Sequence, residues 1–393
     1  MGVNEQRSGL QQRAGRDDSG ERPVQGRPAS TARFDWITVV IGLLLTAGIC
    51  WDGWSHATFG PDQKVFSRYH ILFYSSFLAL AIWLLANARA GTTRGAPWSR
   101  SLPPGYGPSL LAIPVFLVAG VLDLTGHYLY GFENGLAALL SPTHVGIFIG
   151  WTLIVSGPVL AGVVRLRGGA PALGPSLPML ISLALVLVAV SFAAGLYLPI
   201  GGPVYALAPL TMAANSGEPV NPFFAPQLAE IIGVTGVLLQ TIILMAALLW
   251  LLNRVRLPWG SLTVVFTVYG VLISFMQASR APYPFWLLPA IVLTGLGADL
   301  LYGWLQPYPG RIRDQRLFAF LVPILLWSLF YSEVGTMGGG LIWESLMWIG
   351  SIFQAGLASL LLSVAMTPPA EGADLSPGMG GSDDLTRGAR ATR

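Results

Sequence analysis

Residues 36–70 read WITVVIGLLLTAGICWDGWSHATFGPDQKVFSRYH, and the first part of this stretch decides the fold class. Apart from Asp52, residues 36–54 carry no charged side chain. A helix of about 20 such residues is long enough to cross the hydrocarbon core of a bilayer. The stretch therefore predicts a transmembrane helix that ends in a polar segment containing an Asp and two His residues.

The composition of the whole chain is that of a membrane protein. Hydrophobic residues make up 53% of the 393 residues and charged residues only 10%, with a mean hydropathy of +0.61. A soluble domain would carry about 25% charged residues. Similar apolar runs recur without strand-like alternation, and lipid favours helices because they satisfy their own backbone hydrogen bonds. We therefore expect an all-α, polytopic transmembrane bundle of about 10 helices in a lipid bilayer, with no nucleic-acid partner.

The predicted bundle occupies residues 34–367. Its spans are residues 36–54, 69–88, 108–127, 143–165, 176–198, 228–252, 260–279, 284–304, 316–333 and 341–366. The flanking tails, 1–33 and 368–393, are rich in Gly, Ser, Pro, Arg and Asp, which predicts disorder. Proline within the spans, such as Pro114 and Pro158, indicates kinks.

Lys and Arg are distributed unevenly between alternate loops. All but three of the 22 Lys and Arg residues lie in the tails or in every second loop, and the exceptions are Lys64, Arg68 and Arg280. By the positive-inside rule, both termini are then cytoplasmic and the polar segment after the first span faces outside. We expect an inner (plasma) membrane protein with this orientation.

A second stretch repeats the pattern of the first. Residues 122–144 read LDLTGHYLYGFENGLAALLSPTH. Each stretch has an Asp, a His four residues later and a His at the start of the next apolar run: Asp52, His56 and His70, and Asp123, His127 and His144. Residues four apart share one face of a helix, so each helical hairpin, about 36–88 and about 108–165, should bring its three side chains together. A Ser three residues before the second His is common to both copies.

These side chains suit a metal ion. Two imidazoles and one carboxylate bind zinc, copper or iron and leave coordination positions open. The single Cys50 excludes a site of several thiolates. Glu133, in the second stretch, is a further candidate ligand or proton acceptor, or else a solvated loop residue. The competing interpretation is that the Asp residues cap helices and the His residues bond to backbone carbonyls.

The number of sites is a separate question. The two hairpins are predicted to have the same orientation, as in parallel repeats. Their triads can therefore form two equivalent sites or converge on one composite site. We favour a composite or closely coupled site, because the loops that lead to His70 and His144 differ in length.

The pattern Asp-x3-His with a further His at the next helix resembles the motif of the metal-binding membrane subunit in copper-dependent methane and ammonia monooxygenases. It is also similar to motifs in uncharacterised bacterial polytopic membrane proteins. Here the motif is doubled, and the interval before the last His is longer. The resemblance implies that the six Asp and His residues bind copper, and that the chain carries out oxidase or oxygenase-type chemistry or supplies a site for it. It also implies membrane or periplasmic partner subunits.

Three other functions remain open. Transporters commonly have this architecture, and outward Asp and His side chains could capture a metal ion or relay protons. A zinc-dependent membrane hydrolase would use the same ligands to activate water. Haem ligation by paired His residues is a third alternative.

Overall fold

The computed structural model describes residues 28, 30–59, 67–131, 139–166, 172–195, 198–200, 225–277, 285, 287–337, 341 and 343–366. Within these residues the fold is helical, with one 3-10 turn at Trp98–Arg100 and no strand. The predicted disordered tails lie outside the described residues, apart from residues 28 and 30–33.

The described helices confirm the predicted all-α transmembrane bundle. They are α1 (Ala32–Phe59), α2 (Arg68–Thr93), α3 (Gly107–Tyr130), α4 (Pro142–Val155), α5 (Gly157–Arg165), α6 (Leu173–Ala193), α7 (Ala225–Leu252), α8 (Ser261–Gln277), α9 (Leu288–Leu305), α10 (Ile312–Met337) and α11 (Ser345–Met366). Because α4 and α5 are halves of one span, the described segments make the ten predicted crossings. Nine of these are long and apolar enough to span a membrane, and the tenth has a shorter apolar segment, Ser261–Phe275.

The outer surface of the bundle carries many exposed apolar side chains. Leu78 and Ile82 of α2 are each 59% exposed, and Leu361 of α11 is 69% exposed, whereas Leu80 and Leu84 of α2 are fully buried. An apolar surface of this extent is unfavourable in water but matches lipid tails. The chain is therefore a multi-pass membrane protein.

Helix α6 forms the centre of the half that carries the Asp/His motifs. It packs against α1, α4, α5, α7 and α8, while α1–α2 and α3–α4 form two antiparallel hairpins. Across the interior, the indole of Trp151 in α4 donates a hydrogen bond to the hydroxyl of Thr46 in α1, at 3.0 Å. The two hairpins are therefore held beside each other, with the Asp-x3-His pairs of α1 and α3 at the same end of the bundle.

The fourth span is broken at Ser156, as Pro158 predicts. At this break the hydroxyl of Ser182 in α6 accepts a hydrogen bond from Val159 N–H at 3.1 Å and donates one to Val155 C=O at 2.6 Å. In a continuous helix these two backbone groups would bond to each other. Ser182 thus replaces the lost bond inside a membrane span, where water is absent.

A buried ion pair joins the helices at the opposite end from the motifs. The Asp35 carboxylate, at the start of α1, is fully buried and pairs with Arg165 at the end of α5. It also accepts hydrogen bonds from the Tyr106 hydroxyl at 2.7 Å and the Ser30 hydroxyl at 3.1 Å. These contacts satisfy a charge that would otherwise be costly to bury.

Two other carboxylates, the buried Asp299 and the half-buried Glu333, hold the starts of helices in the second half of the chain. Asp299 of α9 accepts hydrogen bonds from Leu262 N–H at 3.1 Å and Thr263 N–H at 2.8 Å, and Glu333 of α10 accepts one from Ala290 N–H at 3.0 Å. The first N–H groups of a helix have no partner within it. Each carboxylate therefore caps a helix other than its own.

We predict that Ser182→Ala lowers the free energy of unfolding by about 2 to 4 kcal/mol, because Val159 N–H and Val155 C=O lose their partner in an environment without water. Thermal unfolding in detergent, followed by circular dichroism, measures the change. The control is Ser332→Ala, since the exposed Ser332 hydroxyl bonds only to its own helix at Ser328 C=O. Equal stability of the two variants would contradict the role of Ser182.

The predicted orientation can be tested with single cysteines in a Cys50→Ser background. Tyr128 is 89% exposed at the motif end, and Arg313 is exposed at the other end. We expect a membrane-impermeant maleimide to label Tyr128→Cys, but not Arg313→Cys, on intact cells. The reverse pattern would show that the positive-inside assignment is wrong.

Candidate metal centres

The first triad lies where α1 ends and α2 begins. Helix α1 continues through Asp52 and His56, so the two side chains share one face as the spacing predicts. Asp52 Oδ1 lies 3.1 Å from His70 Nε2 and 3.7 Å from His56 Nε2. Three ligand atoms, one from each residue, are all within 4.8 Å of one another.

The second triad repeats this arrangement at the end of α3 and the start of α4. Asp123 Oδ2 lies 3.1 Å from His127 Nε2, and Asp123 Oδ1 lies 3.3 Å from His144 Nδ1. Again the three ligand atoms are within 4.8 Å of one another. All six predicted ligands are therefore brought together, three in each hairpin.

The spacing of the ligand atoms suits a transition-metal ion. In a tetrahedral site, metal–ligand bonds of about 2.1 Å separate neighbouring ligand atoms by about 3.4 Å. The His–Asp separations range from 3.1 to 3.7 Å. Either triad could therefore hold one ion with three protein ligands and leave further coordination positions open.

The first triad also contains buried polar atoms without hydrogen bonds. Asp52 Oδ1 and His56 Nε2 are inaccessible to solvent and make no hydrogen bond within the described part of the chain; the polar atoms recorded near Asp52 Oδ1 are the imidazole nitrogens of His70 and His56. Buried polar atoms are normally satisfied, because leaving one unpaired costs about 1 to 3 kcal/mol. A metal ion bound between these two atoms would compensate both.

The second triad differs in how its carboxylate is held. The Thr143 hydroxyl donates a hydrogen bond to Asp123 Oδ1 at 2.7 Å. The corresponding residue of the first hairpin is Tyr69, whose hydroxyl instead accepts a hydrogen bond from Arg68. The two triads are therefore similar in composition but not equivalent, and the role of Thr143 is not apparent from the sequence motif.

The Ser residue shared by the two motifs is a helix N-cap. Ser67 Oγ accepts a hydrogen bond from His70 N–H and lies 3.2 Å from His70 Nδ1. Ser141 makes the same two contacts with His144, with the Oγ to Nδ1 distance at 2.7 Å. Ser is a favoured N-cap residue, which is the sequence signal for this role. One hydroxyl thus begins each helix and contacts the imidazole. At His70 it contacts the nitrogen that faces away from Asp52, whereas at His144 it contacts the same nitrogen that faces Asp123.

The triads are two groups rather than one. Among the described residues, the ligand atoms cluster in threes within each hairpin, and no six-residue group is found. The described ligand atoms thus form two groups, and a composite or closely coupled site stays a prediction. The triads are nevertheless near each other: Tyr74 stacks on His70 with ring centroids 5.6 Å apart, and its phenol interacts electrostatically with both Asp52 and Asp123.

No protein-family model, curated protein or solved structure matches this chain. The assignment of the triads as candidate metal centres rests on their geometry, and the resemblance of the motif to that of the copper-dependent monooxygenases stays a prediction. Glu133, the other candidate ligand, lies outside the described residues.

We predict that Ser67→Ala weakens metal binding at the first triad by about 10- to 100-fold, because the His70 ring loses the partner that orients it. The measurement uses purified Asp123→Ala protein, in which only the first triad is intact. Titration with Cu²⁺ gives the affinity of this protein with and without the added Ser67→Ala substitution. Ser75→Ala is the matched control on α2, since the exposed Ser75 hydroxyl donates only to Leu72 C=O. Unchanged affinity in Ser67→Ala would show that the cap does not orient a ligand.

Proposed function

We propose that this protein is an integral-membrane metalloprotein that binds one transition-metal ion in each Asp/His/His triad, and that it carries out copper-dependent oxidase or oxygenase-type chemistry or supplies the site for it. The observation that carries the proposal is the repetition of one ligand geometry in two hairpins, with three ligand atoms within 4.8 Å in each. Capping alone would not require two His residues to converge on the same carboxylate.

The ligand set fits the proposed chemistry. Two neutral imidazoles and one carboxylate bind copper, zinc or iron, and three protein ligands leave room for water or substrate. Copper is favoured by the resemblance of the motif to that of the copper-dependent monooxygenases. When bound, a copper ion supplies one-electron redox chemistry.

The protein side chains have distinct roles in this proposal. The Asp52 and Asp123 carboxylates offset the charge of the cation near the membrane boundary, where an uncompensated charge is costly. Ser67 and Ser141 hold the imidazoles of the second His residues, at the starts of α2 and α4. The site is thus supported by packed helices rather than by the loops between them.

The carboxylates elsewhere in the bundle favour a fixed site over a transport path. Asp299 and Glu333 cap helix starts, and Asp35 pairs with Arg165. Within the described ranges, these groups are already engaged in structural contacts and do not form a free row across the bundle. A metal-ion transporter would need such groups or an equivalent polar path.

Attachment of partner subunits on the outward side is a further proposal that rests on the resemblance.

We predict that the purified wild-type protein binds two metal ions per chain, with copper preferred. Asp52→Ala and Asp123→Ala should each remove one ion and leave the other, because each carboxylate belongs to one triad. Metal analysis by inductively coupled plasma mass spectrometry, after loading and dialysis, measures the stoichiometry. Asp314→Ala is the control, since Asp314 pairs with Arg311 at the opposite end of the bundle.

Four outcomes would contradict parts of this proposal. Metal content that neither Asp variant changes would refute the ligand assignment. Loss of both ions in either single variant would show a composite site in place of two separate ones. A protein that retains only zinc would contradict the copper assignment and favour the hydrolase alternative. Metal flux into proteoliposomes would favour transport.

A further inference from the structure

An apolar groove lies beside the second triad. It has a volume of about 340 Å³ and runs between α4 and the last turn of α6. Its walls comprise Leu139, Leu140, Val145, Phe148, Ile149, Thr152, Leu153, Ala189, Val190 and Ala193. This volume falls within the range of small-molecule sites, about 300 to 1,000 Å³.

The groove offers no free polar side chain to an occupant. Thr152 is the polar member of its lining, and its hydroxyl donates a hydrogen bond to Phe148 C=O at 2.7 Å. The other lining side chains are aliphatic or aromatic. The groove therefore favours a hydrocarbon over water or a polar solute, because a polar group placed there would lose its hydrogen bonds to water.

One end of the groove lies near the second triad, although none of the three triad residues lines it. Phe148 lines the groove, and its ring centroid is 6.3 Å from that of His144. Leu140 and Val145 flank the motif segment Ser141–His144 in the sequence and are also part of the lining. An alkyl chain lying in the groove would thus extend along α4, with one end directed towards His144 across the Phe148 ring.

The opposite side of the groove faces the surrounding lipid. Ile149 is 50% exposed and Val190 is 37% exposed, and both lie on membrane-spanning helices. In a bilayer this surface is in contact with hydrocarbon, so the groove is continuous with the membrane interior. An apolar molecule can therefore enter from the membrane without passing through water.

The first triad has different surroundings. His70 is buried, with only 8% of its surface exposed, and it packs against Phe73 and Tyr74, whose ring centroids are each 5.6 Å away. His144 is only partly buried and has the groove beside it. The second His of the two triads therefore differs in its surroundings. The first triad is most exposed at His56, at 36%, whereas the second has an apolar approach beside His144.

We infer that the second triad takes a membrane-dissolved molecule with a linear alkyl chain, which lies in the groove between α4 and α6 and presents one end at His144. This inference rests on the proposed function, because it names the class of substrate for one of the two proposed metal centres. The recognition is by shape and hydrocarbon contact along the chain, and the metal held by the triad contacts the end group.

The test uses a long-chain alkanol that carries a photoreactive diazirine on its chain. In proteoliposomes it should label peptides that contain residues 139–153 and 189–193, and excess unlabelled alkanol should compete. Val190→Trp, which fills the groove from its lipid side, should reduce this labelling at least tenfold. Val271→Trp is the matched control, since Val271 is 41% exposed on α8 and does not line the groove.

A second measurement tests whether the end group of the bound alkanol reaches the metal at the second triad. Cu²⁺ is loaded into Asp52→Ala protein, so that only the second triad is intact, and its electron paramagnetic resonance spectrum is recorded with and without the alkanol. We expect the alkanol to change the spectrum, and to have no effect when Val190→Trp is added. Ethanol at the same concentration should have no effect in either protein.

The two measurements separate the inference from the proposed function. If the groove is labelled in a protein that binds no metal, the proposed function is overturned. The assignment of the alkyl compound as a substrate is then overturned as well. Metal binding without groove labelling would overturn the inference alone. Labelling without a spectral change would identify the occupant as a structural lipid, which also overturns the inference.

Discussion

The structure depends on one constraint, which is that a backbone polar group in the hydrocarbon core must find its partner within the protein. An unsatisfied group there costs several kcal/mol, because no water can reach it. The break between α4 and α5 is tolerated because Ser182 bonds to both backbone groups that the break separates. The starts of α8 and α9 are tolerated because Asp299 and Glu333 reach across from neighbouring helices.

The same constraint produces the candidate metal centres. Helices α2 and α4 begin at the end of the bundle where α1 and α3 finish, and each begins with a capping Ser three residues before its His. The cap fixes the first turn of the helix and thereby the position of the imidazole. The short segment from the capping Ser to the His thus determines where the imidazole lies, and the same segment occurs in both hairpins. The copies then differ in their neighbours: Thr143 holds one carboxylate, while aromatic rings cover His70.

The parts of this structure that follow from local periodicity could be predicted from the sequence. The ten crossings follow from the lengths of apolar runs, and the pairing of Asp52 with His56 follows from their spacing on one helical face. The contacts that depend on how helices pack could not be predicted. Nothing in the motif indicates that Thr143 bonds to Asp123, or that Ser182 lies opposite Pro158. The distance between the two triads could not be predicted either, because loop length alone does not fix how two hairpins pack.

The Asp35–Arg165 pair has a consequence for how the chain is made. Asp35 enters the membrane with the first span, whereas its cationic partner is at the end of the fourth, 130 positions later. During synthesis the carboxylate must therefore remain hydrated or protonated, or rest at the insertion machinery, until Arg165 emerges. The first four spans thus form the smallest segment in which the Asp35 charge has its cationic partner, and a chain that ends before Arg165 would leave this carboxylate uncompensated.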